Sequence, residues 1–590
     1  MKKIIIFTTI FILFKSSSLL SQISINNENS FILNNIYQEN IFVHQNTSFL
    51  LSGEFLYYKI YCLNTHTNTS SNLSKIAYVE LIGVDKKPIF KHKIRLENGK
   101  GQGDFLIPAK IQSGNYKLIA YTQWMKNSTQ TNYFQSDLSI FNPFQENQPS
   151  ILEKTEPLDF QTNINKQEKL QNKKNSSNLS FLNEYIDLSV NKHNFKNREQ
   201  VVLKIKSLKK NLSKGNYSIS VRKIDSFNTP NKYTAIEYLS TKSTTSTIKK
   251  IITLPELRGE LISGKIINNN DVNLDVSNIK IALSIQGKQS IFKISTTNNL
   301  GNFYFSIPEK YESTNAIIQV IGKKRNNFNI VMDEHSSVNY ETLNFYNFKI
   351  TPKWKDYILK RSIYNQIEDV FSSSKPTTYK TIDSINTIYN TKAIVYNLDD
   401  YTRFPSIKET IIEIINEVAI RQKKKSSTFH IKLQDQFFEF DLPALVLVDG
   451  ILVQNHNNLL DYNANNIKKI SVLMDTYSLN STIFDGVIFI ETFNGNFEPD
   501  FSDTHIQKIK LFRPLITKNY FKQIYSDDKN TNRIPDYRNQ LLWIPNYNLT
   551  MEEDSISFFT SDNLGEYEIC IEGFTNEGIP ISLKNKFKVK

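Results

Sequence analysis

Apolar and polar residues alternate with a period of two along many short segments of this 590-residue chain. In VVLKIKS, Val201, Leu203 and Ile205 fall on one face and two lysines on the other, which is the pattern of a half-buried strand. Four segments share a stronger signature, in which glycine, a polar residue and an aromatic residue open the alternation. They are GNYKLIAY from Gly114, GNYSISV from Gly215, GNFYFSI from Gly301 and GEYEICI from Gly565. Each predicts a turn that leads into a strand, and their irregular spacing predicts several separate β-sandwiches rather than a solenoid.

A tight hairpin is predicted within PALVLVDGILV, residues 443–453. Two apolar runs flank Asp449-Gly450, and both of these residue types tolerate the positive φ angles that a two-residue turn requires. We therefore expect two short paired strands that meet at this turn.

Two segments carry helical spacing. Thr351-Pro352 precedes WKDYILKRSIYNQIEDVF, and proline favours the first turn of a helix, so we expect a helical connector over 351–395. A second helix is predicted from Ser406, because Ser406 and Glu409 form a capping box. Its apolar face would pack on a neighbouring sheet, with a membrane-surface or partner-binding helix as the alternative. That predicted face consists of Ile407, Ile411, Ile414, Ile415 and Val418.

The first residues resemble a secretory signal. Lys2 and Lys3 precede an apolar run over 4–14 and a small polar cluster, which predicts a signal peptide over 1–21. A buried N-terminal helix is the alternative. No later segment is apolar for the ~20 residues that a membrane helix needs. We expect an exported protein that is periplasmic or outer-membrane-associated, and possibly at the cell surface, with no transmembrane segment after signal removal.

Composition changes this picture in two ways. Apolar residues make up 39% and aromatic residues 12% of the chain, which excludes general disorder and allows several folded domains. The formal charge is +13, but the lysines are scattered, so we interpret the charge as a solvated surface. Nucleic acid is not an expected partner of an exported protein, and attraction to an anionic envelope is a minor alternative.

The two cysteines, Cys62 and Cys570, are too few for a disulfide framework. Cys62 lies on an apolar face in FLYYKIYCL, which predicts a core residue. Cys570 alternates onto the same face as three glutamates in EYEICIEG, so we expect it to be exposed. Because the two lie in regions that we assign to different domains, we expect no bridge between them.

Ordered segments of the first 146 residues indicate a known domain type. SGEFLYYKIYCL, LSKIAYVELIG, NGKGQGDFLIP and SGNYKLIAYTQWMKN follow one another in that order. Together they resemble the macroglobulin-type β-sandwich of exported multidomain proteins from Bacteroidetes-like bacteria. We expect this sandwich over 22–146, a polar linker over 147–184 and a second sandwich-like region over 185–256.

Two further regions resemble β-sandwich modules. LRGELISGKIINNN and STTNNLGNFYFSIP, within 257–350, resemble the carboxypeptidase regulatory-like domain, which carries no peptidase chemistry. RIPDYRNQLLWIPN and SISFFTSDNLGEYEICIEGFTNEGIP resemble the terminal sandwich of the same multidomain family, predicted over 496–590. Two adjacent strands are expected to supply its core through Ile556, Phe558, Tyr567, Ile569 and Ile571.

Residues 396–495 resemble the plug domain of TonB-dependent outer-membrane receptors. The Asp449-Gly450 hairpin, NNIKKISVL and DGVIFIETFNG follow the strand order of such a plug. Only 95 residues follow Gly495, fewer than the roughly 200 that a plugged transporter barrel needs. The predicted fold is thus mainly β, with several macroglobulin- or Ig-like β-sandwiches in series and a small α+β plug-like domain, without the transporter barrel.

No catalytic, cofactor-binding or metal-binding residue is predicted. The eight histidines are isolated, and no C-x-x-C, P-loop or G-x-S-x-G motif occurs. Cys570-Ile571-Glu572-Gly573 departs at two of four positions from the reactive Cys-Gly-Glu-Gln of protease-trapping macroglobulins. SDDKNTNRIPD (526–536) lacks calcium-loop spacing and predicts an Asx-rich loop. Asp399-Asp400 would point to opposite faces of a strand.

These observations predict a non-enzymatic exported envelope protein that binds or scaffolds an outer-membrane partner through the plug-like module and the sandwiches. The alternative is a secreted cell-surface adhesin or binding protein. The last ten residues of the chain, ISLKNKFKVK, resemble the basic alternating tail of cargo sorted by the gliding-bacterium secretion route. They fit the last strand of the terminal sandwich equally well. No cofactor is expected, and the sequence identifies no small-molecule ligand.

Overall fold

The computed structural model describes residues 38–128, 132–146, 148–153, 184–209, 211–241, 253–269, 274–287, 290–334, 337–379, 393–423, 426–432, 444–475, 477–479, 482–498, 503–525 and 533–590. The predicted signal peptide lies outside these residues. Within them the protein is mainly β, as predicted, with three β-sandwiches and a small α+β module. None of the described helices is long and apolar enough to cross a membrane.

The first sandwich contains the four segments that define the predicted domain over 22–146. Its two sheets have the orders β1-β3-β6 and β2-β8-β7-β4-β5. Cys62 is fully buried between them, as expected from its apolar face. The strands are β1 (Glu39–Gln45), β2 (Phe49–Leu51), β3 (Phe55–Asn64), β4 (Ile76–Gly83), β5 (Pro88–Arg95), β6 (Lys100–Leu106), β7 (Gly114–Tyr121) and β8 (Phe134–Phe141).

The split sandwich joins two regions that the sequence separates by more than 300 residues. Strand β12 lies between β31 and β33 in a five-stranded sheet of order β10-β34-β33-β12-β31, and the second sheet is β32-β11-β9. Its strands are β9 (Ile186–Val190), β10 (Asn194–Phe195), β11 (Gln200–Ser207), β12 (Gly215–Lys223), β31 (Gln540–Leu549), β32 (Glu553–Phe559), β33 (Gly565–Thr575) and β34 (Pro580–Val589).

The split sandwich corrects two expectations. Separate sandwiches over 185–256 and 496–590 were predicted, but their strands share one sheet and one core. The core residues predicted for the tail are buried as expected, yet β32 and β33 lie in opposite sheets rather than side by side. Local alternation marks each strand, and it carries no information about which strand becomes the neighbour.

The third sandwich occupies most of 257–350. Its sheets are β16-β13-β18 and β15-β14-β17-β29, so a strand from beyond residue 495 completes it. A two-stranded pairing, β19 (Thr378–Tyr379) with β30 (Lys518–Asn519), lies outside the sandwiches. The strands of the third sandwich are β13 (Glu260–Asn268), β14 (Lys280–Ile285), β15 (Ile291–Thr296), β16 (Asn302–Ile307), β17 (Asn315–Ile321), β18 (Phe328–Met332) and β29 (Ile506–Lys510).

The α+β module, here called the hairpin module, spans 394–492. Its central sheet has the order β20-β25-β28-β23-β24, with β23 and β28 parallel. Two hairpins, β21-β22 and β26-β27, complete it. The strands are β20 (Ile394–Asn397), β21 (Val418–Lys423), β22 (Ser426–Ile431), β23 (Leu445–Val448), β24 (Ile451–Leu452), β25 (Ile467–Leu473), β26 (Tyr477–Leu479), β27 (Thr482–Phe484) and β28 (Val487–Thr492).

The described helices are short, apart from the predicted connector. They are α1 (Ala235–Thr241), α2 (Lys355–Val370), α3 (Ile407–Glu413) and α4 (Asn457–Leu460). Short 3-10 turns cover Trp124–Asn127, Arg325–Asn327, Tyr340–Thr342, Pro352–Trp354, Ser372–Ser374, Leu398–Asp400 and Ala464–Asn466. The remainder of the connector, 380–392, lies outside the described residues.

Helix α3 begins as predicted and ends earlier. Ser406 Oγ accepts a hydrogen bond from Glu409 N at 3.3 Å, which caps the first turn. The helix stops at Glu413, and Val418 begins β21, because β21 pairs with β22 along its whole length. The five residues of the predicted face still line one core with the central sheet. The face was correct, and the helical length was wrong.

Part of the predicted linker is packed. Ile151 is fully buried, in a cluster that includes Phe348 and, from the connector region, Ile358. Leu152 forms a parallel bridge with Ile350. Residues 148–153 are therefore fixed against the first sandwich, which corrects the expectation of a free linker there; residues 147 and 154–183 lie outside the described part of the chain.

The recurring glycine–aromatic signature has a physical basis in the structure. All four segments form strands, β7, β12, β16 and β33. Tyr116, Tyr217 and Tyr567 each donate a hydroxyl hydrogen bond to the carbonyl four residues upstream, at Gln112, Ser213 and Asn563. This is the tyrosine-corner geometry, which ties the entering turn to the strand. The fourth copy has Phe303, which packs in the core without a hydroxyl.

Candidate binding sites

The Asp449-Gly450 turn forms as predicted and its aspartate is structural. Asp449 and Gly450 have φ angles of 49° and 83°, and Leu447 pairs with Leu452. The Asp449 carboxylate accepts hydrogen bonds from Thr492 N, Thr492 Oγ1 and Phe497 N at 2.8, 2.6 and 2.9 Å. These three donors lie at or just after the end of β28, so the carboxylate fixes that end of the strand. It is therefore not a candidate binding group.

One face of the central sheet in the hairpin module is partly covered. Leu445 and Leu447 share a core with Ala282 and Ile294 of the third sandwich. Gly450 approaches the same sandwich so closely that a Cβ there would lie 2.1 Å from Ser290 Cβ. The hairpin end of this face is therefore an internal contact between the module and the third sandwich.

The opposite end of the same sheet is open. Strand β20 forms the edge and pairs only with β25 among the described residues. Ile394 and Val395 are 40% and 48% exposed although both are large aliphatic residues. Register places Val395 beside Ser471. An edge strand with exposed aliphatic side chains is a template for the addition of another strand.

A cavity of about 330 Å³ lies where helix α2 meets the split sandwich. One face of α2, at spacings of three and four residues, supplies Tyr357, Lys360, Arg361 and Tyr364. The end of β12 supplies Lys223, and the turn before β33 supplies Asn563 and Gly565. With Asn539, which precedes β31, four segments that are separate in the sequence line this cavity.

Buried charges close the floor of this cavity. Arg361 donates from Nε and Nη2 to both oxygens of Glu54, at 2.8 and 2.7 Å, and from Nη1 to Asp225 at 2.5 Å. Burial acts to raise the pKa of Glu54, but Arg361 and then Arg222 lower it to about 2. Asp225 and Glu54 likewise raise the pKa of Arg361 against its burial. Since Glu54 belongs to the first sandwich, this network joins α2, the split sandwich and the first sandwich.

Cys570 is buried, which corrects the expectation of an exposed thiol. Its side chain is 4% exposed, and Glu572 on the same face is 2% exposed. Glu572 Oε2 accepts hydrogen bonds from Ala235 N of α1 at 2.8 Å and from Ser582 Oγ at 2.6 Å. The charged alternation predicted a solvent face, but α1 covers that face. Both cysteines are free, and burial raises the pKa of the Cys570 thiol.

The residues weighed for metal or acid–base chemistry are not brought together. No group of three or more His, Cys, Asp or Glu side chains in the described part of the chain could hold a metal ion. Asp399 and Asp400 lie in a 3-10 turn rather than the expected strand, and Asp399 pairs with Arg403 at 2.5 Å. Of the Asx-rich segment, residues 526–532 lie outside the described residues, and Asp536 is buried against Arg538.

Sequence reasoning missed the cavity and its ion network. Arg361 is read from the sequence as one more residue of an amphipathic helix, and its partner Glu54 is 307 positions away. The single local signal is the spacing of two tyrosines and two cations on one face of α2. That spacing is equally typical of a solvated helix.

Comparisons with known proteins identify structural neighbours. No protein-family model matches the chain, and no curated protein matches it by sequence. A Salmonella α2-macroglobulin reacted with methylamine is similar at 10% identity and a TM-score of 0.23, over 94% of this chain and 39% of its own. An Escherichia coli α2-macroglobulin activated by porcine elastase gives 8% identity and a TM-score of 0.23, over 94% and 43%.

The chain spans about two fifths of the length of these α2-macroglobulins. A TM-score of 0.23 does not correspond to a common superposition of whole chains.

Proposed function

We propose that this chain is a non-enzymatic, exported binding protein that docks on an outer-membrane partner through the hairpin module, with the three sandwiches as a scaffold. The observation that carries the proposal is the open edge strand β20, with Ile394 and Val395 exposed on a sheet whose other end is covered by the third sandwich. The occupant would be an extended segment of the partner that pairs with β20.

Strand addition fits the chemistry of this edge. The outer side of β20 offers backbone N–H and C=O groups, which supply affinity without regard to sequence. Ile394 and Val395 point to opposite faces, so an added strand with aliphatic side chains would bury apolar surface on both. The covered opposite end holds the module in place, and no strand of the described residues occupies the outer side of β20.

The domain resemblances support the same proposal. The plug-like resemblance rests on the succession of the hairpin, β25 and β28 along the chain. We infer a macroglobulin-type first sandwich, a carboxypeptidase regulatory-like third sandwich and a plug-like hairpin module from a Bacteroidetes-like source. A plug-like module that is delivered to the periplasm would meet its partner at the outer membrane.

The test is site-specific photo-crosslinking in cells that produce the full chain. A photoreactive residue at position 395 is expected to capture one membrane protein. The matched control places the same residue at position 412, because Ile412 is 59% exposed in the same module but lies on α3, away from the edge. Recovery of the chain in the soluble periplasm without a crosslink from position 395, or equal capture from both positions, would contradict the proposal.

The adhesin alternative depends on whether the last ten residues act as a sorting signal. All of the ending ISLKNKFKVK except Lys590 lies within β34, and Phe587 and Val589 are buried in the core of the split sandwich. This favours the last-strand interpretation of the tail over an independent sorting signal. Deleting it is expected to unfold the split sandwich, so surface display must be tested by protease accessibility of the intact chain.

A further inference from the structure

The cavity between α2 and the split sandwich is surrounded by more cationic side chains than carboxylates. Arg361 and Arg222 are matched by Glu54 and Asp225 within the buried network. Lys223 and Lys360 then add two cations to the lining, against the exposed Glu566. Glu566 itself lies directly opposite Lys588 in the sheet, so it does not neutralise both lysines.

Lys223 is a half-buried lysine, and none of the described carboxylates forms a salt bridge with it. Its Nζ donates to the amide oxygen of Asn563 at 2.5 Å. Burial, followed by the charges of Lys360 and Arg361, lowers the pKa of Lys223 to about 8. A desolvated ammonium group beside other cations is an environment that an incoming anion would stabilise.

The backbone makes room for this lysine. Gly565 has a φ angle of 141°, and a Cβ at that position would lie 2.7 Å from Lys223 Cε. The absence of a side chain at 565 therefore leaves the Lys223 side chain its path along the cavity wall. On the other wall, Lys360 is exposed on α2 and projects from the same helical face as Tyr357 and Tyr364.

We propose that this cavity binds a small oxyanion, with a carboxylate or phosphate group between Lys223 and Lys360. The volume of about 330 Å³ is at the lower end of the range for small-ligand sites. The Asn539 and Asn563 amides in the lining add hydrogen-bonding groups, and the two tyrosine rings add apolar surface. No residue of the hairpin module lines this cavity, so anion binding is a function in addition to partner docking.

The test is titration of the full chain with inorganic phosphate and with citrate at pH 7, followed by calorimetry, with sodium chloride at matched ionic strength as the baseline. Binding of either anion supports the site, and the stronger of the two identifies the group that it prefers. Lys223→Gln and Lys360→Gln are each expected to weaken that binding about tenfold, since each removes one charge-assisted hydrogen bond.

Lys355→Gln is the matched control, because Lys355 is exposed on the same helix and lies outside the cavity lining. It is expected to bind like the unaltered chain. Lys360→Gln changes an exposed helical position, so its loss of affinity is separable from misfolding by comparing melting temperatures. The proposal is overturned if neither anion binds below about 10 mM, or if all three variants bind as the unaltered chain does.

Discussion

At the scale of single residues, the buried hydroxyl of Tyr217 shows why the glycine–aromatic signature recurs. Its ring packs in the core of the split sandwich, and its hydroxyl donates to Ser213 O at 2.7 Å. The carbonyl that accepts this bond belongs to the turn, so one side chain fixes both the core and the entry into the strand. A phenylalanine would keep the packing and lose the tie.

Tyr217→Phe is therefore expected to lower the free energy of unfolding by about 1 kcal/mol, the usual net value of one such hydrogen bond. Urea denaturation of the full chain measures it. Tyr346→Phe is the control, because Tyr346 is 56% exposed and its replacement should change stability by less than about 0.5 kcal/mol. Equal effects of the two substitutions would contradict the role given to the corner.

The Arg361 network predicts a sensitivity to acid. The folded pKa of Glu54 is about 2, below its ordinary value of 4.5, so its contribution to stability is present above pH 4.5 and is lost as the pH falls toward 2. Arg361→Ala leaves Glu54 and Asp225 buried without their main partner, which should cost about 3–5 kcal/mol.

The same substitution should weaken the loss of stability on acidification, because without Arg361 the pKa of Glu54 is no longer held so far below its unfolded value. Melting temperatures between pH 3 and pH 7 measure both effects. Arg361→Ala combined with Glu54→Gln should recover part of the loss, since it removes one of the stranded charges. A double variant that is no more stable than the single one would contradict this account.

At the scale of elements, β12 depends on strands from the other end of the chain. Its two neighbours are β31 and β33, and hydrophobic residues of both regions fill one core. Strand β29 completes the third sandwich in the same way. The regions before and after the inserted third sandwich and hairpin module therefore fold together.

Residues 184–241 alone are expected to be unfolded in solution, because β12 would expose both of its edges and its core face. Mixed with residues 533–590, which supply β31–β34, the fragment should gain β structure, as measured by circular dichroism. Independent folding of 184–241 would show that it is a domain by itself and would contradict the split sandwich.

At the scale of the whole molecule, buried groups join the sandwiches. Tyr61 of the first sandwich donates to Glu572 O at 3.0 Å, and His44 Nδ1 lies 2.6 Å from Ser218 Oγ. The Phe42 and Phe574 rings pack edge to face, at 78° and with centroids 5.9 Å apart. Glu572 is fully enclosed at this junction, and burial raises its pKa to about 7.

A pH dependence follows from Glu572. Its folded pKa is above the unfolded value of 4.5, so the folded state binds the proton more tightly and stability falls as the pH rises from about 4.5 to 7. Burial raises the pKa of Glu256 to about 8, which extends the same decline. Glu572→Gln is expected to flatten the decline and to stabilise the chain at pH 8, as measured by thermal unfolding.

The control for this prediction is Glu577→Gln, because Glu577 is an exposed residue of the turn that follows β33. That variant should keep the decline of the unaltered chain. A Glu572→Gln profile that still falls between pH 5 and pH 7 as steeply as the unaltered one would contradict the role given to this carboxyl group.

The sequence by itself determined the local structure of this protein. Alternation marks β7, β12, β16 and β33, and Asp449-Gly450 marks its hairpin, because a strand face and a tight turn are both decided within about ten residues. The start of α3 at Ser406 is also decided locally, because its cap joins Ser406 to Glu409.

Tertiary structure alone decided which strands are neighbours, which charged faces are covered and where the cavity lies. Cys570 and Glu572 have the pattern of a solvent face and are buried because α1 covers them. Arg361 finds Glu54 and Asp225 only after three distant segments meet. Contacts between residues hundreds of positions apart leave no periodic signal in either segment, so the fold of the parts was predictable and their assembly was not.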